Sequence, residues 1–144
     1  MSTCPPTGWP RISSSLFYDD ASAAIDWLVR AFGFEIQLRV DGENGQVLHS
    51  QLIVGDGLIM VGSAGRAPYR KSPQAVGGAN TQCLFTYVQD IEGHCQRARA
   101  AGAKILTEPT TTDHGADYWA DRGYEAEDPE GHHWFFAERL RGPQ

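Results

Sequence analysis

The fold is decided by the stretch Tyr118-Trp-Ala-Asp-Arg-Gly-Tyr-Glu-Ala-Glu-Asp-Pro-Glu-Gly-His-His-Trp-Phe-Phe-Ala-Glu138. A tight turn is expected at residues 128–131, because Pro129 presets the backbone of the second turn position and Gly131 adopts angles that a side chain would forbid. Residues 132–138 are rich in aromatic side chains, which favours a strand buried on at least one face. The stretch therefore predicts a β-hairpin.

Upstream of the hairpin, hydrophobic periodicity predicts a first module of one strand, one helix and three strands. The helix begins after a possible cap at Asp19-Asp20 and ends at Gly33. The predicted ranges are 12–18 for the first strand, 21–32 for the helix, and 34–40, 47–54 and 58–62 for the later strands.

The same order of elements then occurs a second time. Residues 64–80 form a connector by composition, with three glycines and two prolines. A strand over 82–88 follows, then a helix capped by Asp90 and stopped by Gly102, a strand over 104–110, and the hairpin. The repeat is too long for a solenoid, so it predicts a tandem of two modules.

The pattern D-P-E-G-H-x-W-x-F at residues 128–136, together with this tandem, resembles the vicinal oxygen chelate superfamily of glyoxalase I, extradiol dioxygenases and bleomycin resistance proteins. The resemblance covers about residues 11–139. It implies an α+β fold of two tandem βαβββ modules, about 11–63 and 81–139, in one domain spanning 1–144. In that fold the sheets curl into a trough with the helices outside and the ligand site inside, and members are commonly homodimers.

Bulk composition limits the function classes. The 144 residues carry 12 basic and 18 acidic side chains, a formal charge of −6, which gives no electrostatic footprint for nucleic acid or an anionic membrane. Three widely spaced cysteines give no disulfide framework or metal clip and indicate a reducing, cytoplasmic location. Neither a signal peptide nor a membrane-spanning apolar run is evident.

The resemblance implies a metal-ligand position in the first and fourth strands of each module. In this sequence those positions are Ser13, Met60, Cys83 and Phe135, of which only the cysteine is a good ligand for a divalent first-row metal. The sequence therefore predicts no metal and no cofactor.

An enzyme remains the alternative. A metal site rebuilt from His49, Cys83 and His133 would support a lyase, isomerase or dioxygenase with non-standard ligands. Metal-free catalysis would need His49 to act with Glu127 or Tyr87, for which the sequence gives no mutual geometry. His94 and Cys95, on the second helix, are expected to be structural.

We expect instead a small-molecule binding site, an apolar wall with a few polar groups. The alternative is that the aromatic residues of the trough pack together as ordinary core and leave no open site. The predicted ligand-binding residues are Ser13, Ser15, Phe17, His49, Gln51, Met60, Cys83, Phe85, Tyr87, Trp119, Tyr124 and Phe135.

Two charged segments suggest opposite ligand types. Residues 113–130 hold seven carboxylates and one arginine, Arg122, so they form either the mouth of a site for a planar or cationic ligand or a solvated loop. Residues 66–71, with two arginines and a lysine, form either a lid over an anionic ligand or a solvated linker.

Overall fold

The computed structural model describes residues 4–144. The chain divides into two compact units, the first ending at Ser72 and the second beginning at Pro73. This boundary lies inside the predicted connector. Within residues 4–144, no helix has both the length and the apolar character needed to cross a membrane.

The first unit contains a four-stranded mixed sheet and one helix. Strand β1 is parallel to β4, β4 is antiparallel to β3, and β3 is antiparallel to β2. The elements are β1 Ser14–Tyr18, α1 Ala21–Phe32, β2 Glu35–Asp41, β3 Val47–Val54 and β4 Gly57–Ser63.

Helix α1 has the bounds that the sequence predicts, because both of its caps are encoded locally. The carboxylate of Asp20 accepts a hydrogen bond from the backbone N–H of Ala23 at 3.0 Å. Gly33 adopts the left-handed conformation, with φ of 78°, and its N–H donates to the carbonyl of Val29. The apolar stripe of the helix is buried against β1 and β4.

The second unit repeats this arrangement. A short 3₁₀ turn, Pro73–Val76, precedes a sheet in which β5 is parallel to β8 and the remaining neighbours are antiparallel. The elements are β5 Leu84–Tyr87, α2 Ile91–Ala100, β6 Lys104–Asp113, β7 Ala120–Glu127 and β8 His133–Arg141, and the strand order is β5-β8-β7-β6. The predicted α+β fold of two repeated modules is confirmed.

The turn between β7 and β8 is organised by Asp128, which is only 4% exposed. The N–H of Gly131 donates to the Asp128 carbonyl, as the predicted turn requires. One carboxylate oxygen of Asp128 accepts from the backbone N–H groups of Glu130 and His132, and the other accepts from Trp134 Nε1 at 3.1 Å. The acid therefore links the turn to a fully buried indole, a contact that turn propensity alone does not predict.

Several strand ends differ from the prediction because they depend on pairing. Strand β1 begins at Ser14, and Ile12 lies outside it with 87% of its surface exposed. Strand β6 continues to Asp113, three residues beyond the predicted end, because Thr111, Thr112 and Asp113 pair with β7.

Candidate functional site

Each helix covers one face of the sheet in its own unit, and we call the opposite face the open face. In the second unit, Phe85 on β5 pairs with Phe135 on β8, and Phe135 pairs with Glu125 on β7. Directly paired residues share a face, so these three side chains lie together on the open face. Phe135 and Phe85 thus meet as the sequence predicts.

The open face of the second sheet exposes aromatic rings. Phe85 is 58% exposed and Tyr87 is 49% exposed, and their rings contact edge to face with centroids 5.2 Å apart. Beside them is a cavity of about 350 Å³, which we call the second-sheet cavity. Its wall includes Phe85, Thr107, Thr110, His114, Glu125 and Phe135. A volume of several hundred Å³ suits a small organic molecule.

Tyr87 is held in place by Asp121 and Arg139. The hydroxyl of Tyr87 donates to an Asp121 carboxylate oxygen at 3.0 Å, and Arg139 Nε donates to the other oxygen at 2.6 Å. Arg139 also donates to the Tyr87 hydroxyl, which raises the pKa of the guanidinium together with the hydrogen bond to Asp121.

The guanidinium of Arg139 also lies over the faces of two aromatic rings. Its central carbon lies 5.1 Å from the Tyr87 ring centroid and 5.3 Å from that of Trp119. Both rings were predicted to contact a ligand, and here each already has the cation of Arg139 over one face. In the described part of the chain, no internal cation lies over the ring of Phe85 or of Phe135.

Glu125 supplies negative charge at the second-sheet cavity. Its carboxylate accepts a hydrogen bond from the hydroxyl of Thr107 at 2.6 Å. Among residues 4–144, no basic side chain lies within ion-pair distance of Glu125, whereas neighbouring Glu127 contacts His133 at 3.2 Å. Glu125 therefore offers an uncompensated charge to a ligand.

Tyr124, a predicted ligand-binding residue, is almost fully buried. Although it contributes to the cavity wall, Tyr124 pairs with Phe136 on the helix-covered face and is only 2% exposed. Its hydroxyl lies 2.6 Å from Nδ1 of His94 on α2, and burial raises the pKa of the phenol. Tyr124 and Cys95, each 2% exposed, thus pack in the core, whereas His94 is half-buried.

The open face of the first sheet collects most of the residues predicted there. Met60 on β4 pairs with Ser15 on one side and with Gln51 on the other. The amide of Gln51 contacts Nε2 of His49 at 2.9 Å, so the amide donates and the imidazole accepts at that nitrogen. A cavity of about 580 Å³ lies here, and we call it the first-sheet cavity.

The connector folds back onto this cavity. Arg66 Nη1 donates to the Leu48 carbonyl at 3.0 Å, and the guanidinium of Arg70 lies 5.1 Å from the centroid of the Phe17 ring. Tyr69 contacts Phe17 edge to face. All four of these side chains line the cavity with Leu48, Ser15, His49 and Met60, whereas Lys71 is exposed and is not part of the wall.

The residues at the metal-ligand positions do not fit a divalent metal. Phe135 offers a hydrocarbon ring and Met60 a thioether, and Cys83 is exposed ahead of β5 and outside the second-sheet cavity. The Ser13 hydroxyl is buried and has no hydrogen-bond partner among residues 4–144. Across the described residues 4–144, no three His, Cys, Asp or Glu side chains lie together in a way that could hold a metal ion.

The sequence matches the Glyoxalase/Bleomycin resistance protein/Dioxygenase superfamily over residues 11–136. The chain belongs to this superfamily. It is 31% identical over 138 residues to an uncharacterised protein of Mycobacterium tuberculosis strain H37Rv, covering 92% of this chain and 76% of that one.

Solved structures with the superfamily fold are also similar to this chain. TioX from Micromonospora sp. ML1 is 35% identical, with a TM-score of 0.70 over 91% of this chain and 99% of that one. A superfamily member from Sphaerobacter thermophilus is 16% identical, with a TM-score of 0.66 over 88% and 94% of the two chains. The latter likeness concerns the fold alone.

The sequence analysis included Asp121 and Glu125 only among the seven carboxylates of residues 113–130, without singling either out, and it did not identify Arg139. Alternation along β7 places Asp121 and Glu125 on one face. The sequence does not show which face of the sheet this is, because pairing with β8 sets it. Asp121, the ion-pair partner of Arg139, comes close to it only because β7 pairs with β8.

Proposed function

We propose that this protein binds and sequesters a small aromatic or cationic organic molecule, without a metal and without chemistry, in the manner of the bleomycin resistance branch. The observation that carries the proposal is Phe85, a large apolar side chain with 58% of its surface exposed beside Phe135 and Glu125. An exposed aromatic cluster of this kind is informative, because most such side chains are buried.

Aromatic contact supplies the affinity in this proposal. A planar ring placed against Phe85 and Phe135 would remove apolar surface from water, and each well-oriented ring contact adds about 0.5–1.5 kcal/mol beyond burial. The threonines of β6 line the cavity on the same face. Their hydroxyl groups would orient the ligand through hydrogen bonds.

Charge supports a cationic ligand. Glu125 has no basic partner among the described residues, and the chain carries a formal charge of −6. A ligand cation would therefore find both a local carboxylate and a favourable long-range field. The side chains at the four metal-ligand positions support binding that does not depend on a metal.

The proposal extends to a homodimer and a cytoplasmic location. The homodimer rests on resemblance to the superfamily, and the location rests on the three widely spaced cysteines, whose number and spacing give no disulfide framework.

A thermal-shift titration tests the function. The probe is 9-aminoacridine, a planar cation, and the comparison is acridine, which is neutral at pH 8. Phe85→Ala should abolish most of the stabilisation by the probe, and Tyr118→Ala should not, although Tyr118 is 57% exposed and thus closely matched to Phe85. Equal stabilisation of wild type and Phe85→Ala, or no stabilisation of wild type by either compound, would overturn the proposal.

A further inference from the structure

The first-sheet cavity has the opposite charge character to the second-sheet cavity. Arg66 and Arg70 line it, and its wall contains no aspartate or glutamate among the described residues. Neither guanidinium has a carboxylate within ion-pair distance in the part of the chain that the structure describes. In a chain of net charge −6, two arginines without acidic partners at one cavity suggest that an anion belongs there.

Arg70 is already oriented for an anion. Its guanidinium lies over the Phe17 ring at 5.1 Å and the Tyr69 ring at 5.4 Å, and its Nε donates to the Tyr69 hydroxyl at 3.1 Å. In residues 4–144 the two terminal nitrogens of Arg70 have no hydrogen-bond partner. They form the planar fork that binds a carboxylate through two parallel hydrogen bonds.

The backbone around Arg70 is held in a defined turn. The N–H of Arg70 donates to the Ala67 carbonyl, and the N–H of Gly65 donates to the Arg70 carbonyl, each at 3.0 Å. Arg66 is fixed by its own bond to the Leu48 carbonyl, which leaves its second terminal nitrogen available. Little side-chain conformational entropy would therefore be lost on binding.

The remaining wall suits an aromatic ring. Phe17, Met60 and Tyr69 provide apolar and aromatic surface, and Ser15 and His49 add polar groups. His49 accepts the Gln51 amide at Nε2, so its neutral ring carries the proton on Nδ1 and can donate it.

We propose that the first-sheet cavity binds a small aromatic carboxylate, with Arg70 and Arg66 holding the carboxylate and Phe17, Met60 and Tyr69 contacting the ring. The site lies wholly in the first unit and uses charge of the opposite sign to Glu125. None of its residues is among those that line the second-sheet cavity.

Calorimetric titration tests this proposal with 2-naphthoate and its neutral analogue 2-naphthamide. We expect naphthoate to bind at least tenfold more tightly than the amide, and this preference to shrink at high salt. Arg70→Gln and Arg66→Gln should each reduce the preference. Lys71→Gln, which removes the same charge one residue from Arg70 but outside the wall, should preserve it.

The Phe85→Ala variant distinguishes this proposal from the proposed function. It should bind naphthoate like wild type and should lose its response to 9-aminoacridine. Equal binding of naphthoate and naphthamide by wild type would overturn the carboxylate site. So would an equal loss of the preference in Arg70→Gln, Arg66→Gln and Lys71→Gln, since that would show only a general charge effect. Thermal unfolding of each variant establishes that it is folded.

Discussion

The guanidinium of Arg139 lies over the ring of Tyr87, 5.1 Å from its centroid, and donates a hydrogen bond to the Tyr87 hydroxyl. Together with Asp121, this arrangement places an internal cation at the edge of the second-sheet cavity. A ligand cation that extends beyond Phe85, Phe135 and Glu125 to Tyr87, Trp119 or Asp121 would have to compete with Arg139 for those groups. The arginine thus limits the affinity of the site for cations.

Arg139→Gln should accordingly bind 9-aminoacridine several-fold more tightly than wild type, because Asp121 and the ring faces of Tyr87 and Trp119 become available. Its melting temperature should fall, because Asp121 loses its counter-ion and is largely buried. Arg141→Gln is the control, since it removes the same charge from the same strand but its partner Asp113 is exposed. Unchanged or weaker binding by Arg139→Gln would refute competition by Arg139.

Asp128→Ala should destabilise the protein by about 2–4 kcal/mol, because three hydrogen bonds to one buried carboxylate are lost and the Trp134 indole N–H is left unsatisfied. Asp56→Ala, in the exposed turn between β3 and β4, should change the free energy of unfolding by less than about 0.5 kcal/mol. Urea unfolding measures both. A similar free energy for the two variants would mean that Asp128 does not organise the hairpin.

Tyr124→Phe should lower the free energy of unfolding by about 1–3 kcal/mol, because the buried hydroxyl and Nδ1 of His94 lose their hydrogen bond. Affinity for 9-aminoacridine should stay within twofold of wild type, since the ring remains in the core. Chemical denaturation and calorimetry measure the two quantities. A large loss of affinity with normal stability would instead show that the Tyr124 hydroxyl contacts the ligand.

Burial raises the pKa of the Cys95 thiol, an effect that the nearby Arg99 guanidinium partly opposes. A raised pKa in the folded state means that folding retains a proton that the unfolded chain releases. The stability due to this thiol is therefore complete below about pH 8.5, the ordinary thiol pKa, and is lost as pH rises through the folded pKa.

The free energy of unfolding of wild type should then fall more steeply between pH 8 and pH 10 than that of Cys95→Ala, with a difference of up to about 1.4 kcal/mol per pH unit. Cys83→Ala, which removes an exposed thiol, should retain the wild-type slope. Parallel curves for wild type and Cys95→Ala would exclude a contribution from this thiol.

The parts of the fold that sequence predicts well are those with local signals. Helix α1 was predicted to the residue because Asp20 and Gly33 are its caps, and the hairpin turn because of Pro129 and Gly131. The burial of Tyr124 is not predictable in the same way, because pairing with β8 sets which side chains of β7 face the helix, and no local signal encodes that pairing.

The candidate site was predictable in part, because side-chain alternation along a strand is also a local signal. Alternation placed Phe17 and Met60 on one face of the first sheet, and Phe85 with Phe135 on one face of the second. The position of Arg70 over Phe17 was not predictable, since connector composition does not show whether a connector folds back on a sheet.

The measurement that tests the central claim most directly is a calorimetric titration of wild type and Phe85→Ala with 9-aminoacridine in the presence of EDTA. Our account predicts saturable binding by wild type that the chelator does not affect, and at least tenfold weaker binding by Phe85→Ala, equivalent to about 1.4 kcal/mol. Binding that disappears with EDTA, or that is equally strong in Phe85→Ala, would contradict it.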